Sequence, residues 1–323
     1  MVSAAYYPRT VTVTVPATSA NLGPGFDCLG LALDLRNEIA FSPTNDTLAK
    51  AGESTRYLIS VNGVDAGKVP TNRSNLAIIA AETVFELVGR RPAEIVVRLN
   101  NRIPVGSGLG SSSSAIIGGL VAGNALIGGH LTTEDLLQIA VEMEGHPDNV
   151  APAMLGGLVL GVLPDGVHGP AQLITHRWEP PRLKAIVVLP DFHLLTSEAR
   201  AALPTATDRS DVIFTSSRLG LLLYAMTTGE FDHLRVAMSD RIHQPYRMKI
   251  IPGAFDAHHA AYQTGAIGVA LSGAGPSLIA FATDNEEAIG RSMRDAFAAA
   301  GLGSRTWILN PSALGVDVSI LPG

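Results

Sequence analysis

The spacing of apolar and polar positions changes repeatedly along the chain, and each regime predicts a different element. Thr10-Val-Thr-Val-Thr-Val15 alternates with period two, the pattern of a strand with one exposed face. Strand-like runs recur at residues 29–35, 38–41 and 56–61, and Asn62-Gly63 reads as a turn. Residues 16–27, rich in Pro, Gly and small polar side chains, read as a loop. Ser74 predicts a helix cap ahead of Leu76, Ile79, Ala80, Val84 and Leu87, which keep helical spacing. A strand at 94–99 precedes a glycine-serine loop and a long uncharged run from Ala115 that reads as a helix. Thr132 predicts the cap of a further helix from Glu134 to about Glu144, with acidic residues in its first turn.

In the second half, residues 164–181 are rich in Pro, Gly and His and read as an inter-domain connection. A buried strand is predicted at 183–189, with helices near 198–203, 210–227 and 285–299. Further strands are predicted at 267–271, 277–281, 305–309 and 316–320. Strands interleaved with helices imply an α/β or α+β fold.

Composition narrows the function classes. Hydrophobic residues at 46% against 16% charged describe a well-buried globule. A formal net charge of -6 argues against a phosphodiester polymer as partner, since that needs a basic face. The one cysteine, Cys28, cannot form an internal disulfide, which with no signal-like N-terminus leads us to expect a cytoplasmic protein. The uncharged run 115–129 is too short and too glycine-rich for a membrane span, so no membrane partner is expected.

The densest chemical signal is Ile103-Pro-Val-Gly-Ser-Gly-Leu-Gly-Ser-Ser-Ser-Ser114, placed between a strand and a helix. Its glycines permit close backbone approach, and the following helix directs free N–H groups and its positive end at the loop. That is a phosphate site. A P-loop is excluded, because no lysine occurs from 69 to 183. Gly106, Gly108 and Gly110 also miss the dinucleotide spacing. Without a loop lysine, phosphate charge falls to a metal, the helix dipole and other cations. Magnesium needs only one or two protein oxygens, and Glu142 and Glu144 both stand just before the polar turn Gly145-His-Pro-Asp-Asn149.

Three segments occur in order: Pro16-Ala-Thr-Ser-Ala-Asn-Leu-Gly-Pro-Gly-Phe-Asp27, the glycine-serine loop, and Leu271-Ser-Gly-Ala-Gly-Pro-Ser277. Together they resemble the three motifs of the GHMP small-molecule kinases. Residues 144–152, Thr196-Ser-Glu-Ala-Arg200 and Pro245-Tyr-Arg247 narrow the resemblance to the homoserine kinase family, over residues 10 to about 281. The resemblance implies a two-domain α/β (α+β) fold. An ATP-binding domain like ribosomal protein S5 domain 2 would span 1–165, and a ferredoxin-like domain 166–323. It implies ATP as co-substrate, Mg2+ as metal, L-homoserine as acceptor, and the homodimer common among relatives.

By motif position, the resemblance assigns the nucleotide to Asn75, Pro104, Val105, Gly106, Ser107, Gly108, Leu109, Gly110, Ser111, Ser112, Ser113 and Ser114, with Ser272, Gly273 and Gly275 closing over it. Metal ligands fall on Ser112 and Glu144, with Glu142 the alternative carboxylate. For the acceptor, Arg200 and Arg247 match the carboxylate-binding positions and Asp27 the residue facing the ammonium group. Asn21, His146 and Asn149 match the groups near the hydroxyl, and Asp148 is the positional candidate for a general base. Two competitors stand beside this reading: a GHMP kinase for another alcohol such as mevalonate, and a metabolite sensor on the same fold. An acid lacking an ammonium group leaves Asp27 unexplained, and Ser112 and Glu144 are both retained, unlike in a degraded site.

Overall fold

The computed structural model describes residues 10–44, 47–50, 53–163 and 173–321. The first part of the chain runs β1 (Thr10–Asn21), β2 (Gly25–Pro43), β3 (Arg56–Gly63), α1 (Leu76–Val88), β4 (Glu94–Asn101), α2 (Ser111–Leu126), α3 (Thr133–Glu144), α4 (Pro147–Leu155), β5 (Leu158–Val162) and β6 (Ile174–Trp178). The second runs β7 (Lys184–Pro190), α5 (Thr196–Ala201), α6 (Arg209–Thr228), α7 (Leu234–Ala237), α8 (Gln244–Lys249), α9 (Ala254–Gln263), β8 (Gly268–Leu271), β9 (Leu278–Ala282), α10 (Glu286–Ala299), β10 (Ser304–Leu309) and β11 (Asp317–Leu321).

Seven strands make a mixed sheet in the order β11-β1-β2-β4-β3, with β5 added to β2 and β6 to β5; only β3 and β4 pair in parallel. Four strands make an antiparallel sheet, β10-β7-β9-β8. One core lies between the first sheet and α1–α4. A second joins Leu22, Leu29, Leu31 and Leu109 of the first lobe to Ala185, Val187, Ile279 and Phe281 of the other. A third packs the remaining face of the four-stranded sheet, including Ile186 and Val188, on α9 and α10. Alternate β7 residues therefore enter different cores, which is why that strand reads as one unbroken apolar run.

Several sequence expectations are corrected. Residues 16–27 are mostly strand rather than loop: β1 continues through Pro16 after a register shift at Pro16/Ala17 and pairs residues 17–20 with 30–33 of β2. Proline is tolerated at such an irregularity. The separate strands expected at 29–35 and 38–41 are one strand, β2, and Asn62 and Gly63 end β3 instead of turning. Asn75, not Ser74, caps α1. The buried face of α1 is Ala77, Ile78, Ala80, Ala81, Val84 and Phe85, while Leu76, Ile79 and Leu87 are exposed. The small residues point inward because α2 comes close: a Cβ on Gly119 would lie 2.1 Å from the Ala77 carbonyl oxygen.

The expected connection at 164–181 lies partly outside the described residues; within it, 174–178 form β6 against β5. Two strands from beyond residue 166, β6 and β11, thus complete the first sheet. The return to β11 is strapped down: Arg36 donates to the carbonyls of Leu314 and Gly315, and Asp34 accepts from Asn310. Among the described residues no helix is long and apolar enough to cross a membrane.

Candidate active site

The three glycine-bearing segments meet in one place. The Thr18 amide donates to the Leu109 carbonyl (3.1 Å), and the Gly273 amide to that of Ala20 (3.0 Å). Asn21 Nδ2 donates to the Gly273 carbonyl (2.8 Å), and Ser272 Oγ to that of Gly108 (2.7 Å). Contact this close dictates glycine. Any Cβ on Gly108 would sit 2.2 Å from the Ser272 carbonyl oxygen, and one on Gly110 2.1 Å from Thr18 Oγ1; both residues also have positive φ. Beside this junction lies a cavity of about 510 Å³, a size that suits a small-molecule site.

At one end of the cavity, Gly110 starts α2 in the left-handed conformation, leaving the first-turn N–H groups of α2 without intrahelical partners. Ser112 Oγ donates to Glu144 Oε1 at 2.8 Å, and Ser113 Oγ to the same oxygen at 3.1 Å. Glu142 accepts instead from Gln138 on the exposed side of α3. The carboxylate facing the helix N-terminus is therefore that of Glu144. Gly145, at φ 91°, ends α3 and turns the chain so that His146 begins α4, which carries Asp148 and Asn149.

At the other end, charges gather. Asp27 takes a two-pronged ion pair from Arg200 (2.8 and 2.9 Å). That hydrogen bond outweighs partial burial and holds the Arg200 pKa above its ordinary value. Arg247 is 2% exposed and has no ion pair among the described residues. Its three contacts are long: Ala199 O (3.3 Å), His243 Nδ1 (3.4 Å) and Gly273 O (3.4 Å). Burial pulls its pKa down to about 10, despite nearby Asp27. A buried fork with unfilled donor capacity suits an incoming carboxylate. Asp148, 1% exposed, accepts from Asn149 Nδ2 and pairs with His146 Nδ1, while Asn149 accepts from Thr18 Oγ1 at 2.8 Å. Burial alone would push His146 down, but the bond to Asp148 and the charges of Asp148, Asp27 and Glu144 leave its pKa raised. Burial, then Asp148 and Asp27, push the Cys28 thiol up to about 11, so it stays protonated.

Comparison with known proteins agrees with this geometry. Residues 75–157 match the GHMP kinases N terminal domain and residues 222–299 the GHMP kinases C terminal domain. A homoserine kinase of Moorella thermoacetica is 44% identical over 291 residues, 90% of this chain and 93% of that protein. The chain belongs to the homoserine kinase family of GHMP kinases. A second member, from Thermosynechococcus vestitus, is 45% identical over 83% of this chain and 85% of its own length. The crystal structure of the Cytophaga hutchinsonii homoserine kinase, 30% identical, superposes with a TM-score of 0.83 over 96% of this chain and 98% of that one. The two-domain GHMP kinase fold expected from sequence is the fold observed.

Of the residues that the homoserine kinase motifs single out, Asn21, Asp27, Asn75, Val105, Gly106, Ser107, Gly108, Gly110, Ser111, Ser112, Glu144, His146, Asp148, Asn149, Arg200, Arg247, Gly273 and Gly275 line the one cavity. Five others stand behind its wall: Pro104, Leu109, Ser113, Ser114 and Ser272. Ser113 and Ser114 are fully buried on the inner side of α2, and Ser272 is spent bridging Gly108 and Ser19. Asn75 is engaged as a cap, accepting from the Ala77 amide and donating to the Pro70 carbonyl. Sequence reading missed Lys68. It lies one residue before the lysine-free stretch, lines the cavity, and pairs with Asp65 at 3.2 Å. Asp65 in turn accepts from the Val105 amide at the start of the glycine loop (3.1 Å). Nothing in the local pattern marks Lys68, because a lone lysine in a polar turn is ordinary.

Proposed function

We propose that this protein transfers the γ-phosphoryl group of ATP to the side-chain hydroxyl of L-homoserine. The observation that carries this reading is one cavity with a helix N-terminus and the Ser112–Glu144 pair at one end, and Asp27, Arg200 and Arg247 at the other. The first end suits a polyphosphate and the second a zwitterion.

The acceptor end explains the choice of an amino acid. Asp27 and Arg200 satisfy each other while the site is free. A zwitterion brings its own ammonium and carboxylate, so Asp27 and Arg200 can part without leaving either charge single. Arg247 then supplies the second half of the carboxylate clamp. An acid without an ammonium group would free Arg200 only by stranding Asp27. His146 and Asn149, fixed by Asp148 and Thr18, stand beside the acceptor end to orient the hydroxyl.

The donor set at Ser112 and Glu144 is all oxygen, which fits magnesium rather than a softer ion. Bound there, magnesium would neutralise phosphate charge. Phosphoryl transfer runs through a loose transition state, so positioning and charge stabilisation account for most of the rate. The α2 N–H groups hold the phosphates and the clamp holds the acceptor; as the hydroxyl oxygen bonds to the γ-phosphorus and ADP leaves, the hydroxyl proton passes to an oxygen of the transferred phosphoryl group, with no dedicated base. Asp148 is occupied with His146 and Asn149 and serves to hold them.

The test is ADP release with a panel of alcohols. L-Homoserine should dominate over D-homoserine, L-serine and mevalonate; turnover of mevalonate without homoserine would reject the assignment.

A further inference from the structure

His243 belongs to none of the recognised segments, yet it is wholly buried beside the acceptor end. It precedes α8, the helix that carries Arg247. Its ring is met at both nitrogens and on one face. Nε2 lies 2.7 Å from the Gly23 carbonyl oxygen, which can only accept, so that nitrogen carries the proton. Nδ1 therefore presents a lone pair, and it faces Arg247 Nη1 at 3.4 Å. Arginine can only donate, so the two bonds fix a neutral ring in one tautomer. One ring face stacks on Phe26, with centroids 4.9 Å apart and planes 18° off parallel. Asp240 clamps the backbone by accepting from the amides of Ile242, His243 and Gln244.

These contacts link two pieces of the acceptor end that are remote in sequence. Gly23 lies in the turn between β1 and β2, Phe26 and Asp27 stand at the start of β2, and the Arg247 guanidinium carbon lies 5.0 Å over the Phe26 ring. The remaining Arg247 contacts are with main-chain carbonyls, so among its described partners only His243 offers a side-chain acceptor.

We infer that His243 is a positioning residue for the acceptor: the acceptor atom it presents at Nδ1 aims the Arg247 fork. This rests on the function proposed above, in which Arg247 binds the acceptor carboxylate.

Two substitutions separate the bonds. His243→Gln keeps a donor within reach of Gly23 but removes the acceptor facing Arg247; His243→Asn places an amide oxygen near the Nδ1 position. With thermal midpoints recorded alongside kinetics, His243→Gln should raise the homoserine KM by about tenfold, with kcat and the ATP KM changing by less than about threefold. His243→Asn should recover most of that loss. In an Arg247→Met background, His243→Gln should have no further effect on the homoserine KM, because the group it acts through is gone. An unchanged KM in folded His243→Gln, or a full additional loss in the Arg247→Met background, would overturn the inference. Should His243→Gln fail to fold, His243→Asn decides: a homoserine KM raised by about tenfold or more overturns it. If Arg247→Met itself leaves the homoserine KM unmoved, the carboxylate assignment fails instead, a separate result.

Discussion

Replacing Arg247 by methionine should divide function from stability. The guanidinium is buried, its pKa is drawn down to about 10, and its three hydrogen bonds are 3.3–3.4 Å long to neutral groups. Methionine keeps much of the apolar stem and removes a charge that burial disfavours. Exchanging a poorly compensated buried cation for an apolar residue of similar length is often neutral or stabilising. The Gly273 carbonyl keeps its bond from Asn21 at 2.8 Å, which limits the loss further. The thermal midpoint should therefore move by no more than about 2 °C, roughly 1 kcal/mol for a protein of this size. Binding should respond differently. A hydrogen bond to a charged partner contributes about 1.5–3 kcal/mol, and each 1.4 kcal/mol is about tenfold in affinity. The homoserine KM should rise by about 10- to 150-fold. The ATP KM should stay within about threefold, because the loss falls on the acceptor alone. Coupled ADP release at saturating ATP, with L-homoserine varied, measures this directly. A homoserine KM within about threefold of the parent, in a variant that melts normally, would remove Arg247 from the acceptor site.

Glu144→Gln should lower kcat by at least about 100-fold and shift the magnesium titration to higher concentration, whereas Glu142→Gln should remain within about twofold of the parent; equal losses would contradict the Ser112–Glu144 arrangement. Asp148→Asn, measured with both substrates saturating, should cost less than about tenfold in kcat, since a true base contributes about 10²–10⁴-fold; a loss in that higher range would show that Asp148 takes the hydroxyl proton. For pH, the folded protein holds the His146 proton more tightly than the unfolded chain does. The resulting stabilisation is complete below the ordinary value of 6.5 and fades as pH rises through the raised folded value. Thermal midpoints between pH 6 and pH 9 should thus carry a downward component that His146→Gln lacks; identical profiles for the two proteins would refute it.

Much of the fold was legible because period and caps agree with packing. Thr132 caps α3 with Asp135 in a reciprocal box, and the alternation of residues 10–15 is the alternation of burial in β1. The glycine-loop end of the cavity was legible because glycines at 106, 108 and 110 have few uses besides close approach. What escaped depends on tertiary partners. Residues 16–21 look like a loop because Pro16, Thr18, Ser19 and Asn21 are poor advertisements for a buried strand. Their polar groups are met by Asn149, Ser272 and Gly273, all distant in sequence. The inward face of α1 was missed for a related reason: close approach by α2 favours alanine there over leucine, against the usual weighting of hydrophobicity. Lys68 and His243 take their meaning from neighbours in space that no local pattern encodes.

The last strand pairs with the first, Thr10 opposite Leu321, after the chain has visited the second sheet. Two covalent spans, leading into β7 and out of β10, therefore bridge the lobes, and a shared apolar seam cements them. Swinging the lobes apart would flex both spans at once and expose that seam to water. The small pieces that line the cavity, such as the β8–β9 turn and the six-residue α5, can shift at less cost than the two halves themselves.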